Sequence, residues 1–92
     1  MLFSVFALDK PDGLDLRIKS REDHVKYVKS YGKSIVHAGP MTSDNGESPI
    51  GTLIILETEN RKQAESFVNN DPYKKNGLFA SVSIYAWKKT IG

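Results

Sequence analysis

The stretch SIVHAGPMTSDNGESPIGTLIILE, Ser34 to Glu57, decides the fold. Ser34 to Met41 reads as a strand that ends in Ala38-Gly39-Pro40, and Thr52 to Glu57 reads as another with a continuous apolar run. The polar TSDNGESP between them is long for a hairpin, and Ile50 begins the return. Before this pair, SREDHVKYVKSYG (Ser20 to Gly32) has the spacing of an amphipathic helix, with Tyr27, Val28 and Tyr31 on one stripe. Ser20 is placed to cap it, Asp23 stands in for the capping-box Glu, and Gly32 suits the C′ position. DKPDGLDLRIK reads as a turn-rich loop marked by Pro11 and Asp12-Gly13, and Met1 to Leu8 as a buried strand.

After the central pair, Asn60 caps a second helix with Gln63 at the capping-box position and Ala64, Phe67 and Val68 on its apolar face. Asn70-Asp71-Pro72 ends it, because a residue before proline is pushed out of the α region. Leu78 to Trp87 is the last strand, with Leu78, Ala80, Val82, Ile84 and Ala86 on one face. Phe79, Ser81, Ser83, Tyr85 and Trp87 lie on the other. The order β-α-β-β-α-β, with short connections and right-handed crossovers, predicts a ferredoxin-like α+β fold: a four-stranded antiparallel sheet with both helices on one face.

Ninety-two residues make one domain, and 39% hydrophobic with 26% charged residues suits an ordinary globular one. A net charge of +2 is too weak and dispersed to argue for nucleic acid or a membrane surface. Strand 3 also lacks the aromatics on which RNA-recognition domains of this topology stack bases. The absence of cysteine removes disulfides, thiol nucleophiles and thiolate metal sites, and suits a reducing cytosol. MLFSVFAL has no basic region and no cleavage site, and no segment reaches membrane-spanning length, so a cytoplasmic protein is expected. Glycine-rich phosphate or dinucleotide motifs, HExxH and a nucleophile elbow are missing, and two histidines are too few for a convincing metal site. No cofactor is expected.

Two helices cover one face of a sheet, and the other face should alternate to polar residues. Here LFSVFAL, TLIILE and the last strand carry apolar side chains on both. An apolar face this wide calls for a cover, and the simplest is the same face of a second copy in an isologous homodimer.

One letter of the first helix is out of place. His24 opens the stripe of Tyr27, Val28 and Tyr31, so a titratable ring points into the layer between helix and sheet. It is either a core histidine satisfied by a backbone carbonyl or half of an acid–base pair. The topology brings the loop after helix 2, and with it Asp71, to the same edge of the sheet. A carboxylate beside an imidazole fixes its tautomer and favours the cation, whereas burial opposes the cation. Asp71 alone could equally be turn chemistry in Asn-Asp-Pro. Arg17 and Arg21, with the free amides of a helix start, would suit a carboxylate or phenolate. Thr52, Tyr73 and Phe79 could line a small pocket or simply pack. His37 has no evident partner and reads as structural.

Over nearly its whole length the chain resembles the YciI-like (YCII-related) family of small bacterial proteins. The resemblance rests on MLFSVFALDK, the R-x-x-x-R-x-x-H run from Arg17 to His24, Ala38-Gly39-Pro40, Gly51, Asp71-Pro72-Tyr73 and Gly77-Leu78-Phe79. It implies a ferredoxin-like subunit pairing into a dimeric α+β barrel, and an active site on a His-Asp pair that corresponds here to His24 and Asp71. Some relatives carry a serine where this chain has Thr52, which keeps a hydroxyl for positioning and weakens a nucleophilic role. Members linked to chemistry point to lyase-type work such as dehydrochlorination. The expectation is a small cofactor-independent lyase or isomerase acting on a small anionic, aromatic- or keto-acid-like substrate. Its alternative is a non-catalytic dimer that binds such a metabolite in the same cleft.

Overall fold

The computed structural model describes residues 1–92. Its elements are β1 (Leu2–Asp9), α1 (Leu14–Ser30), β2 (Ile35–Thr42), β3 (Pro49–Glu57), α2 (Arg61–Asn69), α3 (Pro72–Lys75) and β4 (Phe79–Trp87), with one 3-10 turn at Gly32–Ser34. The strands form one antiparallel sheet in the order β2-β3-β1-β4. This is the expected ferredoxin-like arrangement.

The pleat sorts the side chains. Phe3 pairs with Leu56, Val5 with Ile54 and Ala7 with Thr52 on the face turned to the helices. Phe3, Val5, Ile54 and Leu56 join Val28 of α1 and Ala64, Phe67 and Val68 of α2 in one buried cluster. On the opposite face Phe6, Leu8, Tyr85 and Trp87 are 40–62% exposed. No helix is long and apolar enough to cross a membrane.

The start of α1 differs from expectation. The helix begins at Leu14, so Ser20 is not its cap and LDLRIK is not a loop. The turn closes early because Gly13 lies against its neighbours, where a Cβ would come within 2.8 Å of Leu78 Cδ1 and 2.9 Å of the Lys10 carbonyl oxygen. The buried stripe of α1 is Arg17, Ser20, His24 and Val28, mostly polar, and so hydrophobic periodicity could not mark its first two turns. Ser20 Oγ instead accepts a hydrogen bond from Asn76 Nδ2 at 3.0 Å. The amides of residues 20–23 lie inside the helix, so the anion site expected from free amides there does not form.

The other boundaries hold more closely. Gly32 takes a positive φ of 56°, as a C′ residue should. Asn60 Oδ1 accepts from the Gln63 amide at 2.9 Å, while Gln63 Oε1 reaches back to the amide of Glu59 at 3.0 Å. The sequence does not announce α3. Asp71 caps this single turn by accepting the Tyr73 amide at 2.9 Å, with Pro72 in the first turn.

Candidate active site

Arg17 and His24 lie seven residues apart on α1, two turns or about 10 Å along its axis. Both side chains are buried against the sheet, so each needs a polar partner. Arg17 finds two. Its Nη1 donates to Asp9 Oδ1 and Oδ2 at 3.1 and 2.9 Å, and its Nη2 donates to Thr52 Oγ1 at 2.9 Å. Asp9 ends β1 at a register shift and was not among the expected site residues. Its signal was present in the sequence: Asp9 continues the inward phase of Phe3, Val5 and Ala7, and a carboxylate on a core face requires a cation.

His24 is held from the other side. Its Nδ1 lies 2.8 Å from Asp71 Oδ1, the oxygen that also accepts the Tyr73 amide. An ionised Asp71 keeps the proton on Nδ1 and leaves Nε2 with its lone pair. The imidazole stacks on Tyr73, with centroids 3.8 Å apart and planes 9° from parallel. Arg17 Cζ lies 4.8 Å from the same phenol ring. Burial pushes the Tyr73 phenol above its ordinary range, while Arg17 and Arg21 pull it back.

These groups share a cleft of about 600 Å³ between α1 and the β2 side of the sheet. Arg17, Arg21, His24, Thr52 and Tyr73 all border it, and Val25, Val28, Ile35, Val36 and Pro40 give it aliphatic walls. No buried side-chain nitrogen or oxygen lacks a partner. His24 Nε2 and Tyr73 Oη bond to nothing in the chain, and therefore open on the cleft. Arg21 is exposed at its rim and forms no ion pair within the chain. Phe79 meets the edge of Tyr73 at 6.0 Å and stands behind the cleft wall rather than in it. His37 lies exposed along the β2 rim. No three His, Cys, Asp or Glu side chains are placed to hold a metal ion.

In sequence and fold the chain is similar to known proteins. The YCII-related domain covers residues 1–88. An uncharacterised protein of Haemophilus influenzae is 30% identical, with 99% of this chain aligned to 100% of that protein. The protein YciI of Escherichia coli is also 30% identical over the same shares. Among solved structures, 5-chloro-2-hydroxyhydroquinone dehydrochlorinase (TftG) of Burkholderia phenoliruptrix AC1100, in complex with 2,5-dihydroxybenzoquinone, superposes with a TM-score of 0.90. That enzyme is 33% identical and aligns over 98% of this chain and 96% of its own. An antibiotic biosynthesis monooxygenase shares the fold alone, at TM-score 0.60 and 11% identity over 99% of this chain and all of its own. A domain match across almost every residue, with relatives aligned end to end, establishes what the sequence motifs implied: the chain belongs to the YCII-related family.

Proposed function

We propose that the protein is a small acid–base enzyme of lyase or isomerase type, acting on a small anionic substrate of the aromatic- or keto-acid class. The observation that carries this reading is His24, fixed at Nδ1 by Asp71 with Nε2 open on a cleft with aliphatic walls. An imidazole held in one tautomer by a carboxylate is suited to take a proton and to carry the resulting charge. Nε2 removes a proton from a carbon or hydroxyl next to a carbonyl or phenol, and the released pair moves into the π system. Return of that proton at another atom gives isomerisation; departure of a leaving group with its own pair gives elimination. The 33% identical dehydrochlorinase with a dihydroxyquinone bound supports the elimination branch.

The arginines divide the remaining work. Arg17 is balanced by Asp9 and held by Thr52, so it acts on developing negative charge through a fixed positive field rather than through a free donor. Arg21 supplies the uncompensated charge that draws an anion to the rim. Proton transfer of this kind needs no cofactor. The apolar outer face of the sheet, with Phe6, Leu8, Tyr85 and Trp87, supports sheet-to-sheet pairing of two copies. The same reading places the enzyme in the cytosol. Phe6→Lys is expected to split the pair, seen as a halved mass in light scattering; an already monomeric parent would remove the dimer from this reading.

The test is turnover with and without the imidazole. Chloride release from chlorinated hydroquinones and solvent deuterium uptake by small keto acids report elimination and enolisation. His24→Ala is expected to lower the rate about 10²- to 10⁴-fold while ligand binding largely persists. A parent that binds these ligands without turnover would be a metabolite-binding protein instead.

A further inference from the structure

Tyr73 is 2% exposed, yet its hydroxyl bonds to nothing in the chain. Since no buried side-chain oxygen is without a partner, the hydroxyl is the part of this residue that reaches the cleft, free to bond to whatever enters it. Phenylalanine would pack the same ring between His24, Arg17 and Phe79, so packing does not account for the oxygen.

The geometry around it is ordered. Asp71 Oδ1 binds both His24 Nδ1 and the Tyr73 amide, so one carboxylate oxygen anchors the roots of both rings. The rings then run nearly parallel at 3.8 Å. On the imidazole, the end away from Asp71 is Nε2; on the phenol, the end away from its own backbone is Oη. Both residues line one cleft, neither Nε2 nor Oη has a partner within the chain, and Arg17 and Arg21 border the same space. From this juxtaposition we infer that Tyr73 is a second catalytic group, whose hydroxyl donates a hydrogen bond to the substrate oxygen that gains negative charge as His24 Nε2 takes the proton. This rests on the acid–base reading above and narrows the substrate: it carries a carbonyl or ring oxygen conjugated to the reacting atom, as an enolisable keto acid or a hydroxylated quinone does.

The electrons balance without an added reagent. The substrate's C–H or O–H bond breaks, the proton goes to Nε2, and its pair forms a new double bond while the carbonyl π pair settles on oxygen. The Tyr73 O–H bond stays intact throughout, because burial keeps the phenol protonated well above neutral pH. In elimination the pair on oxygen returns and the leaving group departs with its own.

Tyr73→Phe keeps the ring and removes only the donor. The probe is 2,5-dihydroxybenzoquinone, with its Kd measured beside turnover and thermal unfolding. The expected result is an unfolding midpoint close to the parent, a Kd raised about tenfold, and turnover lowered about 10²- to 10³-fold. Unchanged Kd and turnover would overturn the assignment and return Tyr73 to packing. If Tyr73→Phe weakens the probe but neither parent nor His24→Ala turns over substrate, the base reading fails and Tyr73 is a binding contact rather than a catalytic group. If His24→Ala abolishes turnover and Tyr73→Phe does not change it, the base stands and the phenol assignment alone falls.

Discussion

Arg17–Asp9 and His24–Asp71 hang from the same face of α1 two turns apart, both almost fully withdrawn from water, with side-chain exposures of 7% and 6% against 11% and 3%. They differ in what they leave over. The guanidinium cannot lose its charge, and its three hydrogen bonds tie the end of β1 and the start of β3 to the helix. The imidazole is bound at one nitrogen and presents the other to the cleft. Burial therefore does not separate architecture from chemistry at this site. The difference lies in whether a polar group retains an unused atom facing space that a substrate can enter.

The largest expected effect comes from breaking the closed pair. Asp9→Ala leaves Arg17 buried without its counter-charge, and removing one partner of a buried ion pair costs about 3–5 kcal/mol. Against a total stability of about 5–15 kcal/mol for a domain, such a loss is severe. Urea unfolding would show it as a lowered midpoint. The paired replacement Asp9→Leu with Arg17→Met is expected to recover most of the loss, since no charge is then stranded. A single variant that loses less than about 1 kcal/mol would remove the structural role given to the pair.

A smaller effect is expected at the open pair. Asp71→Asn keeps an oxygen for the Tyr73 amide and for Nδ1, but exchanges a charge-assisted bond for a neutral one, at roughly 1 kcal/mol of stability. Its sharper signature is in the ring. In NMR spectra the Nδ1–H proton of His24 should lie far downfield in the parent and move upfield in Asp71→Asn, because the short charge-assisted hydrogen bond is gone. His37, exposed on β2, is the internal control. If the ring resonances of both histidines stay where they were, Asp71 is not coupled to His24 and the proposed base loses its orienting partner.

The same contrast explains what the sequence could disclose. Strand order and the core of β1, β3 and α2 were legible because Phe3, Val5, Ile54, Leu56, Phe67 and Val68 are apolar at the right periods. The beginning of α1 was not, since Arg17 and Ser20 occupy its buried stripe and Asp12-Gly13 reads as loop. A one-turn helix such as α3 gives periodicity too little length to register. His24 stood out as a titratable residue on an apolar stripe, and topology alone located Asp71. Asp9 could have been found by counting the strand phase one residue pair further. The isolation of the Tyr73 hydroxyl is a property of three-dimensional packing, and no spacing encodes it.

The smallest expected effect extends the contrast to two phenols. Tyr27 donates to the Phe67 carbonyl at 2.7 Å, a closed contact, whereas Tyr73 is the open one. Burial is the main cause that raises both phenols; for Tyr27 the hydrogen bond with Tyr31 adds to it. The unfolded chain releases these protons near pH 10, the ordinary phenol value, while the folded chain still holds them. Above about pH 10 the unfolded state thus binds fewer protons, so stability is full below that pH and declines as pH rises further. Chemical unfolding at pH 9 and pH 11 should show this decline in the parent and a shallower one in Tyr27→Phe and in Tyr73→Phe. The two variants part at pH 9. Tyr27→Phe loses an internal hydrogen bond and starts less stable, whereas Tyr73→Phe has none to lose and starts level with the parent. A Tyr73→Phe protein already weakened at pH 9 would mean that the hydroxyl is engaged within the fold, and the distinction between a closed and an open phenol would not stand.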